Sequence, residues 1–308
     1  MPESTKVTVD GRILSLTNLD KVLYPDVHFT KGEVINYYSR VAAVMLPHIS
    51  GRCMTLRRWP NGVDGASFFE KRCPKHRPAW VPVAVGPGNE SSRSRQRTND
   101  DDSPIEYCRI EEPASLVWTA NLAALELHAP MARAEDLATP TLVVFDLDPG
   151  DPATIIECCQ RALEMKSMLD ALDLAAFAKT SGSKGLQVYV PLNTPTTHDA
   201  CSDFALGMGH LLMKQNPDAV TVTMTKAARP GKVFVDWSQN SRHKTTIAPY
   251  SLRAKPTPTV STPVSWDEVA DCAGGEYLSF TASDVLERID ALGDLFAPTA
   301  HLQQELPV

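Results

Sequence analysis

The chain has 308 residues, 43% of them hydrophobic and 22% charged, with a formal net charge of −7 at pH 7. That length can bury a substantial core as one large domain or two closely packed modules. No apolar run approaches the 18 or more residues of a membrane span, and the opening Met-Pro-Glu-Ser-Thr-Lys lacks a secretory pattern, so a cytoplasmic protein with no membrane partner is expected. The acidic total does not exclude nucleic acid. Residues 1–100 carry 15 Lys and Arg against 9 Asp and Glu, a local +6, whereas the remainder carries 15 against 28, or −13. Local basic surface, and not total charge, decides phosphate binding. The seven cysteines contain no Cys-x-x-Cys pair; all seven are expected to be reduced thiols, with zinc disfavoured.

In chain order, Lys6–Val9 and Arg12–Leu16 read as a strand pair around Asp10-Gly11, a good hairpin turn. Thr30-Lys-Gly-Glu33 is a capping box opening a helix expected to reach about Met45, and His48–Arg58 should contain a strand. Phe68-Phe69 lie beside Glu70-Lys71 and close to Arg57-Arg58. In an extended segment one ring would point inward and the other out, where an exposed ring next to basic groups can stack on a template base; burial of both is the alternative. Residues 86–104 are turn-rich and charged and read as a mobile loop whose Arg93, Arg95 and Arg97 could touch backbone phosphate. Helices are expected over 113–126, 152–172 and about 199–215. His128, alternating with apolar residues, reads on pattern alone as a core or strand-end histidine. Strands near 220–225 and 232–237 bracket Lys226-Ala-Ala-Arg-Pro-Gly-Lys232, read as a basic hairpin carrying Arg229 and Lys232. The Pro/Thr-rich stretch 254–264 should be extended, and 281–293 should form an outer helix. Strands and helices mix without regular βαβ spacing, which indicates an α+β class.

Val143-Val-Phe-Asp-Leu-Asp-Pro-Gly150 runs three apolar β-formers into Asp146 and Asp148. Side chains at i and i+2 of a strand share a face, and two adjacent carboxylates raise each other's pKa unless a cation lies between them. Oxygen-only ligands suit Mg²⁺ or Mn²⁺. The other reading makes one Asp a helix cap and the other a solvated side chain. Lys179-Thr-Ser-Gly-Ser-Lys-Gly185, followed by the alternating Leu-Gln-Val-Tyr-Val-Pro191, offers an anion cradle from Ser181, Gly182 and Lys184, although such turns are common between strands. A third strand, Lys232-Val-Phe-Val-Asp-Trp237, ends on Asp236, which alone would be an ordinary strand-end acid. Three acids on strand ends with a phosphate-type turn describe a two-metal nucleotidyl-transfer site.

Asp146-Leu-Asp148, Ser181-Gly-Ser-Lys-Gly185 and Asp236-Trp-Ser-Gln-Asn240 resemble the archaeo-eukaryotic primase superfamily. More closely, they resemble the polymerase domain of bacterial ATP-dependent DNA ligase D, as an excised domain or a stand-alone relative. The resemblance begins at Leu16-Thr-Asn-Leu-Asp-Lys-Val-Leu-Tyr-Pro25 and continues through Lys31, Arg58-Trp-Pro-Asn-Gly62, Phe68-Phe-Glu-Lys71 and Leu125-Glu-Leu-His128. It ends with Thr223-Met-Thr-Lys226 and Thr245-Thr-Ile-Ala-Pro-Tyr-Ser-Leu-Arg253. It implies two facing, mostly antiparallel sheets with the active site in the cleft between them and helices outside. It also implies one catalytic domain over 1–308, with a basic DNA-binding part at 1–130 and a metal- and nucleotide-binding part at 131–308.

The activity so implied is template-dependent addition of NTPs, in preference to dNTPs, during double-strand break repair by non-homologous end joining, with two Mn²⁺ or Mg²⁺ ions. Asp146, Asp148 and Asp236 would ligate metal. Ser181, Gly182, Lys184, Arg253, Gln239 and Arg57 would hold the nucleotide, and His128 would face its sugar. Lys21 and Lys31 would bind the 5′-phosphate of a gap or broken end, and Asn18 would contact DNA; on pattern alone the two lysines are solvated helix-end residues. Arg58, Phe68, Phe69, Lys71, Arg229 and Lys232 would contact DNA. The implied partners are DNA ends or gapped DNA, nucleoside triphosphate, Ku and a DNA ligase, in a nucleoid-associated setting. The chain departs from the family at Arg57-Arg58, where relatives often carry Lys-Arg, and at the basic Cys73-Pro-Lys-His-Arg77. Gap filling in excision repair, a non-catalytic end-bridging module and a metal-dependent glycosyltransferase are the competing readings. The last leaves Asp236 and the Ser-Gly-Ser-Lys-Gly turn unexplained.

Overall fold

The structure is a computed structural model that describes residues 4–87 and 104–307. Arg93, Arg95 and Arg97 lie outside the described residues. The chain divides into two compact units, one of residues 1–137 and 245–258, the other of residues 138–244 and 259–308.

In the first unit, β1 (Ser4–Val9) and β2 (Arg12–Thr17) form the expected hairpin, with Asp10 and Gly11 at φ 47° and 77°, the left-handed pair that a type I′ turn needs. A small pair, β3 (Val22–Tyr24) and β4 (Phe29–Thr30), leads to α1 (Lys31–Arg40). Thr30 and Glu33 complete the capping box. The expected single helix to Met45 is instead broken at Val41, and α2 (Ala42–Ile49) follows. Pro47 lies inside α2, has no N–H for the Ala43 carbonyl and crowds it, which favours a break nearby.

Next come β5 (Thr55–Arg58), β6 (Phe68–Glu70), the pair β7 (Val83–Gly86) and β8 (Ile105–Cys108), and α3 (Pro113–Asn121). The helix expected over 113–126 stops early: Ala123 turns to φ 56° and β9 (Ala124–Pro130) begins. The alternation of Leu125-Glu-Leu-His128 is a strand pattern, and it prevails. A short β10 (Ala132–Arg133) then pairs with β11 (Asp136–Pro140), which spans the boundary between the units.

The second unit is built on β12 (Leu142–Pro149), α4 (Ile155–Asp170), β13 (Phe177–Thr180), β14 (Leu186–Pro191), α5 (His198–Gln215), β15 (Val220–Thr221) and β16 (Val233–Asp236). The chain then supplies β17 (Thr245–Ile247) to the first unit, where the four-stranded sheet has the order β17-β9-β5-β6. It returns as β18 (Pro263–Val264), α6 (Trp266–Ala273) and α7 (Ala282–Leu292). The six-stranded sheet has the order β15-β16-β12-β14-β13-β18. Val143, Phe145 and Leu147 of β12, with Leu186, Val188 and Val190 of β14, pack against α4 and α5 residues such as Cys158, Ala162 and Met208 in one apolar core.

Two further expectations need correction. The segment 226–232 is not a hairpin, because β15 and β16 run parallel, pairing Val220 with Val233 and Thr221 with Phe234. Parallel neighbours need a crossover, and part of this one is a 3₁₀ turn at Lys226–Ala228. Nor are all seven cysteines thiols: Cys73 and Cys108 form a disulfide, their Cα atoms 4.8 Å apart, while Cys53, Cys158, Cys159, Cys201 and Cys272 are free and buried. The bonded pair is 35 residues apart, and the hydrogen bond of Cys73 N to Glu106 O at 2.7 Å lies beside it, a proximity that sequence spacing could not reveal.

Closing a loop of that length should stabilise the fold by about 3–4 kcal/mol. Cys73→Ser/Cys108→Ser is therefore expected to lower the urea midpoint in non-reducing buffer, and dithiothreitol should bring the wild type to the same midpoint. Coincident wild-type curves with and without dithiothreitol would contradict this.

Candidate functional site

The acidic site follows from strand register. β12 is hydrogen-bonded on both sides, so Asp146 lies opposite Gln187 of β14 and opposite Asp236 of β16, while Asp148 lies opposite Phe234. Asp146 and Asp148 share the face away from Phe145 and Leu147. Burial, then Asp148 and Asp236, push the Asp146 carboxyl up to about 7 against a lowering hydrogen bond from Gln187 and the charge of Lys179. Lys179 is fully buried and donates to Gln187 Oε1 and to Ser261 Oγ, each at 2.6 Å. The positive charge thus reaches the acid through an intervening amide.

Asp236 is turned into its own 3₁₀ turn (Trp237–Asn240). Its Oδ1 accepts from Ser238 N at 3.1 Å and Ser238 Oγ at 2.6 Å, and its Oδ2 from Gln239 Nε2 at 3.0 Å. Asn240 clamps this turn to β12, donating to Val144 O at 2.9 Å and accepting from Val144 N at 2.8 Å. Among the described residues, no three His, Cys, Asp or Glu side chains converge as a ready-made metal cage. The Asp146–Asp148 pair nevertheless fits a hard divalent cation: its donors are all oxygen, and a cation removes the mutual repulsion that raises Asp146.

The Ser181–Gly185 turn abuts this pair. A β-carbon on Gly185 would come within 2.3 Å of Leu147 O and 3.4 Å of Asp148 Oδ1, so only glycine allows the approach. Gly182 takes φ 66°. Ser181 Oγ accepts from Ser183 N at 3.2 Å and Gly185 N at 3.1 Å, and this fixes the turn from inside. Lys184 is exposed, with a solvated contact to Asp151 at 3.2 Å. In the crossover after β15, the Arg229 guanidinium stacks 3.6 Å from the Phe234 ring centroid and donates to Met224 O, and Lys232 donates to Pro217 O.

The first unit gathers a second group. Glu126 and His128 share one face of β9, and Arg57 on β5 is the strand partner of Glu126. Glu126 is 2% exposed. Its Oε2 pairs with His128 Nε2 at 3.0 Å and Arg57 at 3.5 Å, and its Oε1 with Arg253 Nε at 3.1 Å. Arg253 is therefore in a shielded ion pair rather than a surface one. Phe68 and Phe69 are both exposed, which corrects the expectation of one inward ring: β6 is an edge strand, and each ring instead lies against an arginine. Arg58 sits 5.2 Å from the Phe68 centroid and Arg57 4.9 Å from that of Phe69, while the edge of Phe69 meets His128. Arg58 also bonds Glu70 at 2.9 Å, and Lys71 directly follows the strand.

A cavity of about 650 Å³ in the same unit is lined by Thr5, Asn18, Leu19, Asp20 and Lys21. Asn18 has φ 53°, and Lys21 bonds Asn61 Oδ1 at 3.1 Å. Lys31 is not the solvated lysine of its sequence pattern: it is 5% exposed and donates to Thr17 O at 2.7 Å. Burial, with Lys21 and Arg58 nearby, lowers its ammonium to about 8. Glu126, Gln187, Lys179 and Asn240 were not selected from the sequence. The alternation that places Glu126 on the face of His128 was available as a signal, and so was the strand-turn-strand run that sets Lys179 opposite Gln187; the bonds of Lys179 to Ser261 and of Asn240 to Val144 join segments far apart in the chain and left none.

The family model described as "LigD, primase-polymerase domain" matches residues 30–296. A multifunctional non-homologous end joining protein LigD of Mycolicibacterium smegmatis is 45% identical over 285 residues, covering 92% of this chain and 35% of that protein. The LigD of Mycobacterium tuberculosis H37Rv is 43% identical over 292 residues, covering 92% and 36%. The chain thus spans about a third of the length of these curated relatives. Among solved structures, the polymerase domain of Mycobacterium tuberculosis ligase D in complex with DNA matches with a TM-score of 0.84 and 40% identity, over 94% of this chain and 99% of that one.

The raised Asp146 carboxyl sets a pH dependence. With a folded value of about 7 against 3.8 unfolded, its contribution is fully present below about 4 and is lost as pH rises through 7. The metal-free protein should accordingly lose thermal stability over that window, Mn²⁺ should restore it at pH 7.5, and Asp146→Asn should flatten both responses. Melting curves of both proteins from pH 5 to 8, with and without Mn²⁺, check this; an Asp146→Asn protein that still responds to Mn²⁺ like wild type would contradict it.

Proposed function

Because the chain belongs to the LigD primase-polymerase domain family and is a nucleotidyltransferase of that superfamily, we propose that it extends a primer 3′ end on a template at gaps and broken DNA ends, taking NTPs in preference to dNTPs. The observation that carries this reading is the register that sets Asp146 against Asp236, with Asp148 one step along the same face and the Ser181–Gly185 turn against it.

Two divalent ions, Mn²⁺ or Mg²⁺, would when bound lower the pKa of the primer hydroxyl and offset charge on the departing pyrophosphate. Asp146 and Asp148 hold them, and Asp236 joins from β16, oriented by Ser238 and Gln239. Ser181, Gly182 and Lys184 hold the triphosphate; the exposure of Lys184 leaves its ammonium able to swing onto phosphate as a point charge. His128 faces the sugar, and Arg57 and Arg253 add positive charge beside it. Phe68 and Phe69 offer stacking faces for a template base, worth about 1–3 kcal/mol per base. Asn18 and Lys21, which line the 650 Å³ cavity, receive a downstream 5′-phosphate there; Lys31, buried and bonded to Thr17 O, adds its charge from behind, and its low-lying ammonium gains by acquiring an anionic partner. Arg58, Lys71, Arg229 and Lys232 meet the DNA backbone. Ku and a ligase are the proposed protein partners, through the end-joining role named for the relatives.

Extension of a labelled primer on a gapped duplex, with and without a downstream 5′-phosphate and with Mn²⁺ and either NTP or dNTP, tests the proposal. Wild type should extend, Asp148→Ala should fall to background while staying folded, and Lys21→Ala should lose only the stimulation by phosphate. No addition by folded, Mn²⁺-loaded wild type would sink the polymerase reading and favour end bridging. Undiminished stimulation in Lys21→Ala would sink the phosphate assignment.

A further inference from the structure

Glu126 is almost wholly buried, yet it is a charged side chain on a strand otherwise rich in apolar residues. Both of its oxygens are occupied: Oε1 accepts from Arg253 Nε at 3.1 Å and from Ala254 N at 3.2 Å, and Oε2 faces His128 Nε2 at 3.0 Å and Arg57 at 3.5 Å. Burial pushes this carboxyl up, but the His128 hydrogen bond and the charge of Arg253 outweigh it and hold it at about 2. Glu126 is therefore a carboxylate at any ordinary pH, and a carboxylate can only accept. The proton of the His128–Glu126 bond must sit on Nε2. Burial, helped by Arg253 and Arg57, outweighs the raising effect of Glu126 and lowers His128 below its ordinary value, so the imidazole is neutral at neutral and alkaline pH. A neutral imidazole has one N–H, and here Glu126 takes it.

We propose that Glu126 is a positioning residue that locks His128 as the Nε2–H tautomer, so that Nδ1 presents a lone pair to the sugar and selects nucleotides whose 2′ substituent can donate a hydrogen bond. This rests on the reading that His128 faces the sugar. It deepens that reading by giving the preference a direction: the ring accepts and the nucleotide donates. A 2′-hydroxyl and a 2′-amino group can donate; hydrogen and fluorine cannot. Fluorine is smaller than hydroxyl, so its rejection would not be a matter of size. Arg253 contributes by keeping Glu126 ionised, and with it the tautomer.

The isosteric Glu126→Gln changes the polarity of the bond. Its amide N–H can donate to His128 Nε2, which moves the ring proton to Nδ1 and turns that atom into a donor. A purely structural Glu126 would slow all nucleotides alike on substitution, whereas a tautomer lock changes their order.

The test measures kcat/KM for single additions of NTP, 2′-amino, 2′-fluoro and 2′-deoxy nucleotides on one gapped primer, for wild type and Glu126→Gln. Alongside it, ¹⁵N spectra of the histidine rings in the metal-free and nucleotide-free protein read the tautomer of His128 directly, with His128→Asn used to assign the signal. Wild type should favour hydroxyl and amino over fluoro and hydrogen by about tenfold, the worth of one hydrogen bond at a site built to accept it. Glu126→Gln should bring the hydroxyl-to-fluoro ratio towards one and shift the ring proton to Nδ1. Wild type that accepts fluoro as readily as hydroxyl, or a His128 signal showing Nδ1–H, would overturn the proposal. Should wild type add no nucleotide of any kind, the polymerase reading fails, while the ring spectrum still decides the tautomer. Should Glu126→Gln not fold, the wild-type nucleotide series and its ring spectrum remain decisive.

Discussion

The register of β12 between β14 and β16 is the constraint on which the acidic site depends. Val143, Phe145 and Leu147 must face the helices α4 and α5 to bury their side chains, and strand parity then leaves Asp146 and Asp148 together on the opposite face. A slip of one residue would bury both carboxylates in the apolar core and expose all three hydrophobic residues. Hydrophobic burial therefore fixes where Asp146 and Asp148 point, although neither carboxylate belongs to that apolar core. Asn240 supports the same register from the edge by bonding both backbone groups of Val144.

The two units treat their strand carboxylates in opposite ways. Glu126 is surrounded by donors, two of them permanently charged guanidinium groups, so its charge is held and its position fixed. Asp146 is desolvated, has Asp148 along its own strand and Asp236 across from it, and has the charge of Lys179 behind Gln187, so its ionisation is opposed. The first arrangement is complete within the protein. The second is electrostatically unfinished, as a site is when its missing partner is a cation supplied from solution. The difference lies in neighbours and not in residue type, for both are carboxylates on strands.

The aromatic pair on β6 illustrates the same dependence on context. Alternation alone sends one ring inward, but β6 is a three-residue edge strand with both faces open at Phe68 and Phe69. The rings are kept in place by guanidinium groups: Arg58 lies over Phe68 and Arg57 over Phe69. Arg57 thus links the aromatic platform to Glu126 and, through it, to His128 and Arg253.

Where the local signal is strong the sequence alone was sufficient, although the break at Val41 and the strand beginning at Ala124 carry local signals too, in stretches expected to be helix. The Asp10-Gly11 turn, the Thr30–Glu33 capping box, the helix near 199–215 and the strand carrying Asp146 and Asp148 each follow from residues within a few positions of one another, because turn dihedrals, caps and strand parity are short-range properties. So does the pairing of the two carboxylates on one face. The tertiary structure decided everything that depends on partners distant in the chain. It set Asp236 opposite Asp146, buried Lys31, joined Cys73 to Cys108, ran β15 parallel to β16 and surrounded Glu126 with Arg57, His128 and Arg253. Those outcomes turn on which strands become neighbours, and the long-range burial of apolar surface selects that for the whole chain at once.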